Sequence, residues 1–268
     1  MKIKETIKKY QNSGLEYVYA LSKTCQDIML SKIAKANFGE HVAIKGGVVM
    51  MNLSKDNRRA TRDLDLDFIK YPLTEEGIEA FINKLNSADD GIKIELTGKM
   101  KNLRQDDYKG KRVFLSFSDG GRISYDFKLD LGVHTNLELE QDELCFDLGG
   151  SLDSVTLFAN SKEQIVAEKL KSLLKHGVLS TRGKDVFDIY YLTSIKEIDV
   201  NKFKNLISDY IINDYKLKIR TFKDIYKRLS IIFSDKNFKK SLEFKEDNWL
   251  ELSVDSVVEK VLDFFSKL

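Results

Sequence analysis

Asp63-Leu64-Asp65-Leu66-Asp67-Phe68 alternates without a break. An extended chain turns successive side chains to opposite faces, so three aspartates fall on one side and Leu64, Leu66 and Phe68 on the other. The apolar side asks for a core. The acidic side is costly, because like charges on one face repel and aspartate is a poor strand former. Alternate aspartates lie about 6–7 Å apart at Cα, close enough for two carboxylates to converge on divalent ions. Two readings compete: an edge strand kept soluble by charge, and a Mg2+ site serving a nucleoside triphosphate.

The flanking sequence favours the second. Residues 42–44 form a short apolar strand that enters Gly46-Gly47, and residues 48–53 resume a helical pattern. Strand, glycine turn and helix is the order that offers backbone N–H groups to a phosphate. Lys45, Arg58, Arg59 and Arg62 surround the same segment and suit phosphate oxygens, or else solvent. A glycine pair alone is more often a plain turn; its weight here comes from its position.

Outward from this centre, residues 15–36 read as a helix, with Tyr17, Leu21, Ile28 and Met29 at helical spacing. Thr74 caps another, whose stripe is Ile78, Phe81, Ile82 and Leu85. Residues 92–96 and 113–117 read as strands, and the Asp119-Gly120-Gly121 turn makes a hairpin with residues 122–133. Asp126 and Asp130 share the polar face of that last strand. Either supplies a third carboxylate to a two-metal site, and spacing does not choose between them.

From Ser161 onward the pattern is helical throughout. A mixed half followed by a helical half predicts an α+β chain of two domains, residues 1–160 and 161–268. Lys169 falls between Ile165 and Leu173, in or at the rim of an apolar stripe. It either snorkels along the core edge or is fixed by packing to face a phosphate. Asp185 and Asp188 share a helix face; the helix dipole accounts for Asp185, and less well for Asp188.

Composition narrows the class. The 268 residues are 42% hydrophobic and 32% charged, enough for a core with a well-solvated surface. The net charge of +2 demands no polyanionic partner, although lysines crowd residues 93–112 and 202–240. Cys25 and Cys145 stand far apart without metal spacing, which excludes a disulfide framework and fits a reducing cytoplasm. The first residues, Met1-Lys2-Ile3-Lys4-Glu5, lead into no apolar signal core, and no apolar run approaches the ~20 residues that span a bilayer. The three histidines, His41, His134 and His176, have no metal spacing and are given no role.

These pieces, in this order, resemble the AbiEii/AbiGii-type toxins of the DNA polymerase β-like nucleotidyltransferase superfamily. The resemblance rests on Ile44-Lys45-Gly46-Gly47, then Arg59-Ala60-Thr61-Arg62-Asp63-Leu64-Asp65, then Ala167-Glu168-Lys169-Leu170, then residues 182–190 with Lys184, Asp185 and Asp188. It implies a polymerase β-like core, a mixed sheet flanked by helices, followed by an all-helical lobe. It also implies Asp63 and Asp65 on Mg2+ (Mn2+ being an alternative); it does not settle the third ligand, for which Asp130, in Lys128-Leu129-Asp130-Leu131-Gly132, is favoured over Asp126. Lys45, Gly46, Gly47, Arg59, Thr61, Lys169 and Asp188 would bind the nucleotide, with Lys169 near its phosphates. Lys169 and Asp185 would belong to the catalytic set. The implied reaction moves a nucleotide from an NTP to an acceptor, in some relatives the tRNA acceptor end, and a separate antitoxin neutralises the toxin. The resemblance departs at Val48, where the family often has threonine. Two alternatives remain beside it: NTP-dependent modification of a protein hydroxyl, and a metal-dependent nuclease.

Overall fold

A computed structural model describes residues 2–103, 110–134, 141–149 and 152–268. Part of the lysine-rich stretch 93–112, residues 104–109, lies outside the described residues. The chain divides into two compact units, Met1–Asn160 and Ser161–Leu268.

The first unit contains α1 (Ile3–Asn12), α2 (Tyr17–Lys35), β1 (Val42–Lys45), α3 (Gly46–Ser54), β2 (Leu64–Phe68), α4 (Glu75–Asn86), β3 (Lys93–Leu96), β4 (Lys101–Asn102), β5 (Lys111–Ser118), β6 (Tyr125–Val133), β7 (Asp142–Phe146) and β8 (Val155–Ala159). Its mixed sheet has the order β3-β5-β6-β2-β1-β8-β7, with β4 also on β5. The acidic strand β2 therefore sits in the middle, antiparallel to β1 and parallel to β6. That position excludes the edge-strand reading. Central burial also supplies what aspartate's poor strand propensity lacks. Leu64, Leu66 and Phe68 are wholly buried, each stabilising by roughly 1.5–3 kcal/mol relative to exposure. Phe68 meets Phe81 of α4 edge-on at 5.3 Å between ring centroids, and Tyr71 at 5.0 Å. Register is thereby pinned, since a slip of one residue would drive the aspartates into this aromatic cluster.

Thr74 caps α4 as the sequence predicts, its hydroxyl accepting from Gly77 N–H at 3.0 Å. The segments β7, β8 and α1 were not foreseen. The turn between β5 and β6 closes a hairpin pairing Phe117 with Tyr125 and, further along, Arg112 with Asp130.

The second unit comprises α5 (Lys162–His176), α6 (Gly183–Tyr190), α7 (Val200–Ile207), α8 (Phe222–Ser234), α9 (Lys236–Leu242) and α10 (Val254–Ser266). Ser161 caps α5 by accepting from Gln164 N–H at 3.2 Å. Val166, Leu170, Val186, Leu192, Phe203, Leu229 and Val261 are among its buried side chains. Among the described residues, no helix is long and apolar enough to cross a membrane.

Candidate active site

Four neighbouring strands carry one charged row across the sheet. Lys45 registers with Asp65 between β1 and β2, Asp65 with Asp130 between β2 and β6, and Asp130 with Arg112 between β6 and β5. Residues in register share a face, so the row reads plus, minus, minus, plus. Two aspartates directly opposite one another repel, and the outer cations offset that cost. Arg112 holds Asp130 with two parallel bonds, Nε to Oδ1 at 2.8 Å and Nη2 to Oδ2 at 2.7 Å. Those bonds raise the Arg112 pKa above its ordinary value; burial opposes them, and the charges of Asp130, Asp63 and Asp65 add to them. Lys45 leans the other way, its Nζ 2.9 Å from Asp67 Oδ2.

The two aspartates of β2, Asp65 and Asp67, are thus not equivalent. Asp67 is 3% exposed and ion-paired with Lys45, whereas Asp65 is only half-buried. Asp130 is the register partner of Asp65. Asp126 lies four residues back along β6, opposite Ser116 of β5, about 13 Å away at strand rise.

The glycine pair is required by close approach. Gly46 has φ +61°, and a Cβ there would lie 2.6 Å from Asp65 Oδ2. At Gly47 a Cβ would lie 2.6 Å from Thr61 Oγ1. Without side chains at these positions, the first turn of α3 closes against the acidic strand and brings its N-terminal N–H groups there. Val48 follows them as a buried residue, and Arg59 is also buried.

Gln26 was not singled out by the sequence. It is buried on α2, and its Nε2 donates to the carbonyls of Thr61 at 3.1 Å and Asp63 at 3.2 Å. It thereby fixes the chain as it enters β2. The available signal was an amide at helical spacing beside the apolar Leu30 and Ile33. Arg112 was also missed.

In the second unit, Lys169 is committed to two carboxylates. Its ammonium bonds Asp185 and lies 2.8 Å from Asp188 Oδ2. Asp188 is wholly buried and its Oδ1 accepts from Trp249 Nε1 at 3.1 Å. The helix dipole left Asp188 poorly explained; this buried network accounts for it. Asp185 Oδ2 is buried with no hydrogen-bond partner among the described residues. Trp249, 61 residues from Asp188, gave no local signal.

A family profile described as nucleotidyl transferase AbiEii toxin, type IV TA system, matches residues 27–260. The chain belongs to that family. This AbiEii-family chain is a nucleotidyltransferase toxin of a type IV toxin–antitoxin system. No curated protein matches it. Among solved structures it is similar to an antigenic nucleotidyltransferase-like protein from Paracoccidioides brasiliensis, at 15% identity and a TM-score of 0.39, over 74% of this chain and 91% of that one.

Nucleotidyltransferases of this kind generally use a divalent metal, so the AbiEii-family acidic row can be tested for fit. Asp63, Asp65 and Asp130 are hard oxygen donors, Asp63 just before β2 and the other two on adjoining strands, where Asp65 and Asp130 are directly opposed. The donor chemistry and register fit a divalent cation. The set is not pre-assembled: among the described residues, no three acidic, histidine or cysteine side chains are gathered to hold one. Beside Asp63 opens a cavity of about 740 Å3, lined also by Arg62, Lys99, Lys101, Phe114 and Lys128. The Lys101 ammonium lies 5.3 Å from the Phe114 ring centroid.

Proposed function

We propose that this toxin transfers a nucleotide from an NTP to an RNA acceptor, most naturally tRNA, with Asp63, Asp65 and Asp130 holding Mg2+. The observation carrying this reading is the opposition of Asp65 and Asp130 on β2 and β6, with the Gly46-Gly47 turn pressed against Asp65. Bound there, the metal would supply charge neutralisation at the reacting phosphate and a more acidic acceptor hydroxyl. The chain's own groups do the rest. The α3 N-terminus offers N–H donors to the triphosphate, flanked by the segment bearing Arg59 and Thr61. Gln26 holds Asp63 in place through the backbone. Lys45 pairs Asp67 and so takes that carboxylate out of the set facing the metal. In the second unit, Lys169 and Asp185, each side chain 12% exposed, are assigned to the catalytic set, with Asp188 holding the same ammonium. The partnerless oxygen of Asp185 supports that assignment.

The acceptor end is assigned to the cavity beside Asp63. Its rim of Arg62, Lys99, Lys101 and Lys128 suits phosphates, and Phe114 suits a base. An antitoxin partner follows from the family, and we place the reaction in the cytoplasm.

The test is incubation with each α-labelled NTP, Mg2+ and total cell extract, with the Asp65→Ala protein as control. Label that nuclease removes and protease does not is the expected result. Protease-sensitive label would replace RNA with a protein hydroxyl. Cleavage of purified RNA without any NTP would make the protein a nuclease.

A further inference from the structure

Of the two cations flanking the acidic row, one is locked and one is not. Lys45 and Asp67 have side chains 12% and 4% exposed, so that pair is sealed from water. Arg112 is 36% exposed and Asp130 13%. Arg112 keeps a side open to water, so it can leave Asp130 without becoming a buried unpaired charge, which Lys45 cannot. Yet Arg112 occupies both oxygens of Asp130, so Asp130 has no carboxylate oxygen left without a cationic partner. The same guanidinium feels the charges of Asp63 and Asp65, which places it within the field of the whole acidic set. Asp65 and Asp130 stand in register, yet among the described residues no three such side chains gather as a cation cage, and the Arg112 grip on Asp130 accounts for that.

We propose that Arg112 is a positioning residue: a built-in counterion that holds Asp130 while no divalent cation is bound and must release it before one binds. The proposal rests on the reading of Asp63, Asp65 and Asp130 as the metal set. Arg112 then offsets the repulsion between the opposed aspartates whenever no cation lies between them, at the cost of metal affinity. Its own departure leaves a guanidinium on β5, the strand that also bears Phe114 of the cavity.

The experiment measures Mn2+ binding to the full chain by the loss of the free-ion electron paramagnetic resonance signal, without nucleotide. Arg112→Gln removes the competitor, so Mn2+ affinity should rise roughly tenfold to a hundredfold, the factor expected for losing one charge-assisted contact. Arg112→Lys keeps the charge but not the two-pronged grip, and should fall between the two. It also carries the test should the glutamine variant not fold. A cross-strand pair with only a structural role would lower the melting temperature of these variants without tightening Mn2+. Unchanged or weaker Mn2+ binding in both overturns the proposal. Asp65→Asn separates the two levels: it should weaken Mn2+ in every background. If it does not, the metal reading itself fails; if it does while the Arg112 variants bind like wild type, only the role of Arg112 fails.

Discussion

Removing the Lys169 charge while keeping its stem should unfold the second unit more readily than any surface change there. In the native protein one ammonium meets Asp185 and, at 2.8 Å, Asp188. The Asp188 side chain is 0% exposed, and Lys169 and Asp185 are each 12% exposed. Lys169→Met leaves two carboxylates in this interior without the cation that faces both. Asp188 retains the Trp249 N–H at 3.1 Å, which is one neutral donor for a buried charge. Removing one partner of a buried ion pair costs about 3–5 kcal/mol. For a unit of this size, about 4 °C is lost per kcal/mol, so its melting should fall by roughly 12–20 °C. Differential scanning calorimetry at neutral pH measures this, with far-ultraviolet circular dichroism following the helical unit. The double variant Lys169→Met/Asp188→Asn should recover a large part of the loss, because asparagine can still accept from Trp249 without carrying charge. A Lys169→Met protein that melts within 2 °C of wild type would refute the reasoning, and would return Lys169 to a snorkelling side chain.

Gly46→Ala places a Cβ 2.6 Å from Asp65 Oδ2 at φ +61°, so nucleotide transfer should fall at least a hundredfold for about 1–2 kcal/mol of stability; near-normal turnover would contradict the close-approach account. Asp63→Ala and Asp65→Ala should abolish transfer with melting temperature nearly unchanged, whereas Asp67→Ala should lower the melting temperature, because it removes a buried ion pair from the mostly buried Lys45 ammonium. Burial holds the Asp247 carboxyl above its ordinary range, and Lys184 pulls it partly back. A raised carboxyl pKa means stability present below the unfolded value and lost as pH rises through the folded one. Asp247→Asn should therefore raise the melting temperature at neutral pH, with the gain fading as pH falls into the ordinary carboxylate range; a gain independent of pH would tell against it.

Much of this was legible in the chain itself. Alternation placed Leu64, Leu66 and Phe68 on a buried face, and strand β2 runs over Leu64–Phe68. Thr74 and Ser161 announced helix starts through local bonds to the third residue on. The glycine pair was read as a phosphate turn, and its structural need proved more specific: the side chains of Asp65 and Thr61 fill the space that Cβ atoms would take. The hairpin was read, but not its register. Pairing residues symmetrically about Gly121 puts Arg112 opposite Asp130, so that contact was within reach of the sequence.

What the sequence determined by itself is local: the side of a strand a residue occupies, the start of a helix, the point where the chain must be bare of side chains. These follow from backbone periodicity and from bonds spanning a few residues. Tertiary structure alone decided that β2 lies at the centre of the sheet. It decided too that Asp130 rather than Asp126 faces Asp65, and that Lys45 belongs to Asp67. Lys169 was ambiguous for the same reason, its partners lying 16 and 19 residues away on another helix. Charges choose partners by distance and burial, and both are set by strand order, register and helix packing across the whole unit, which no short window of sequence contains.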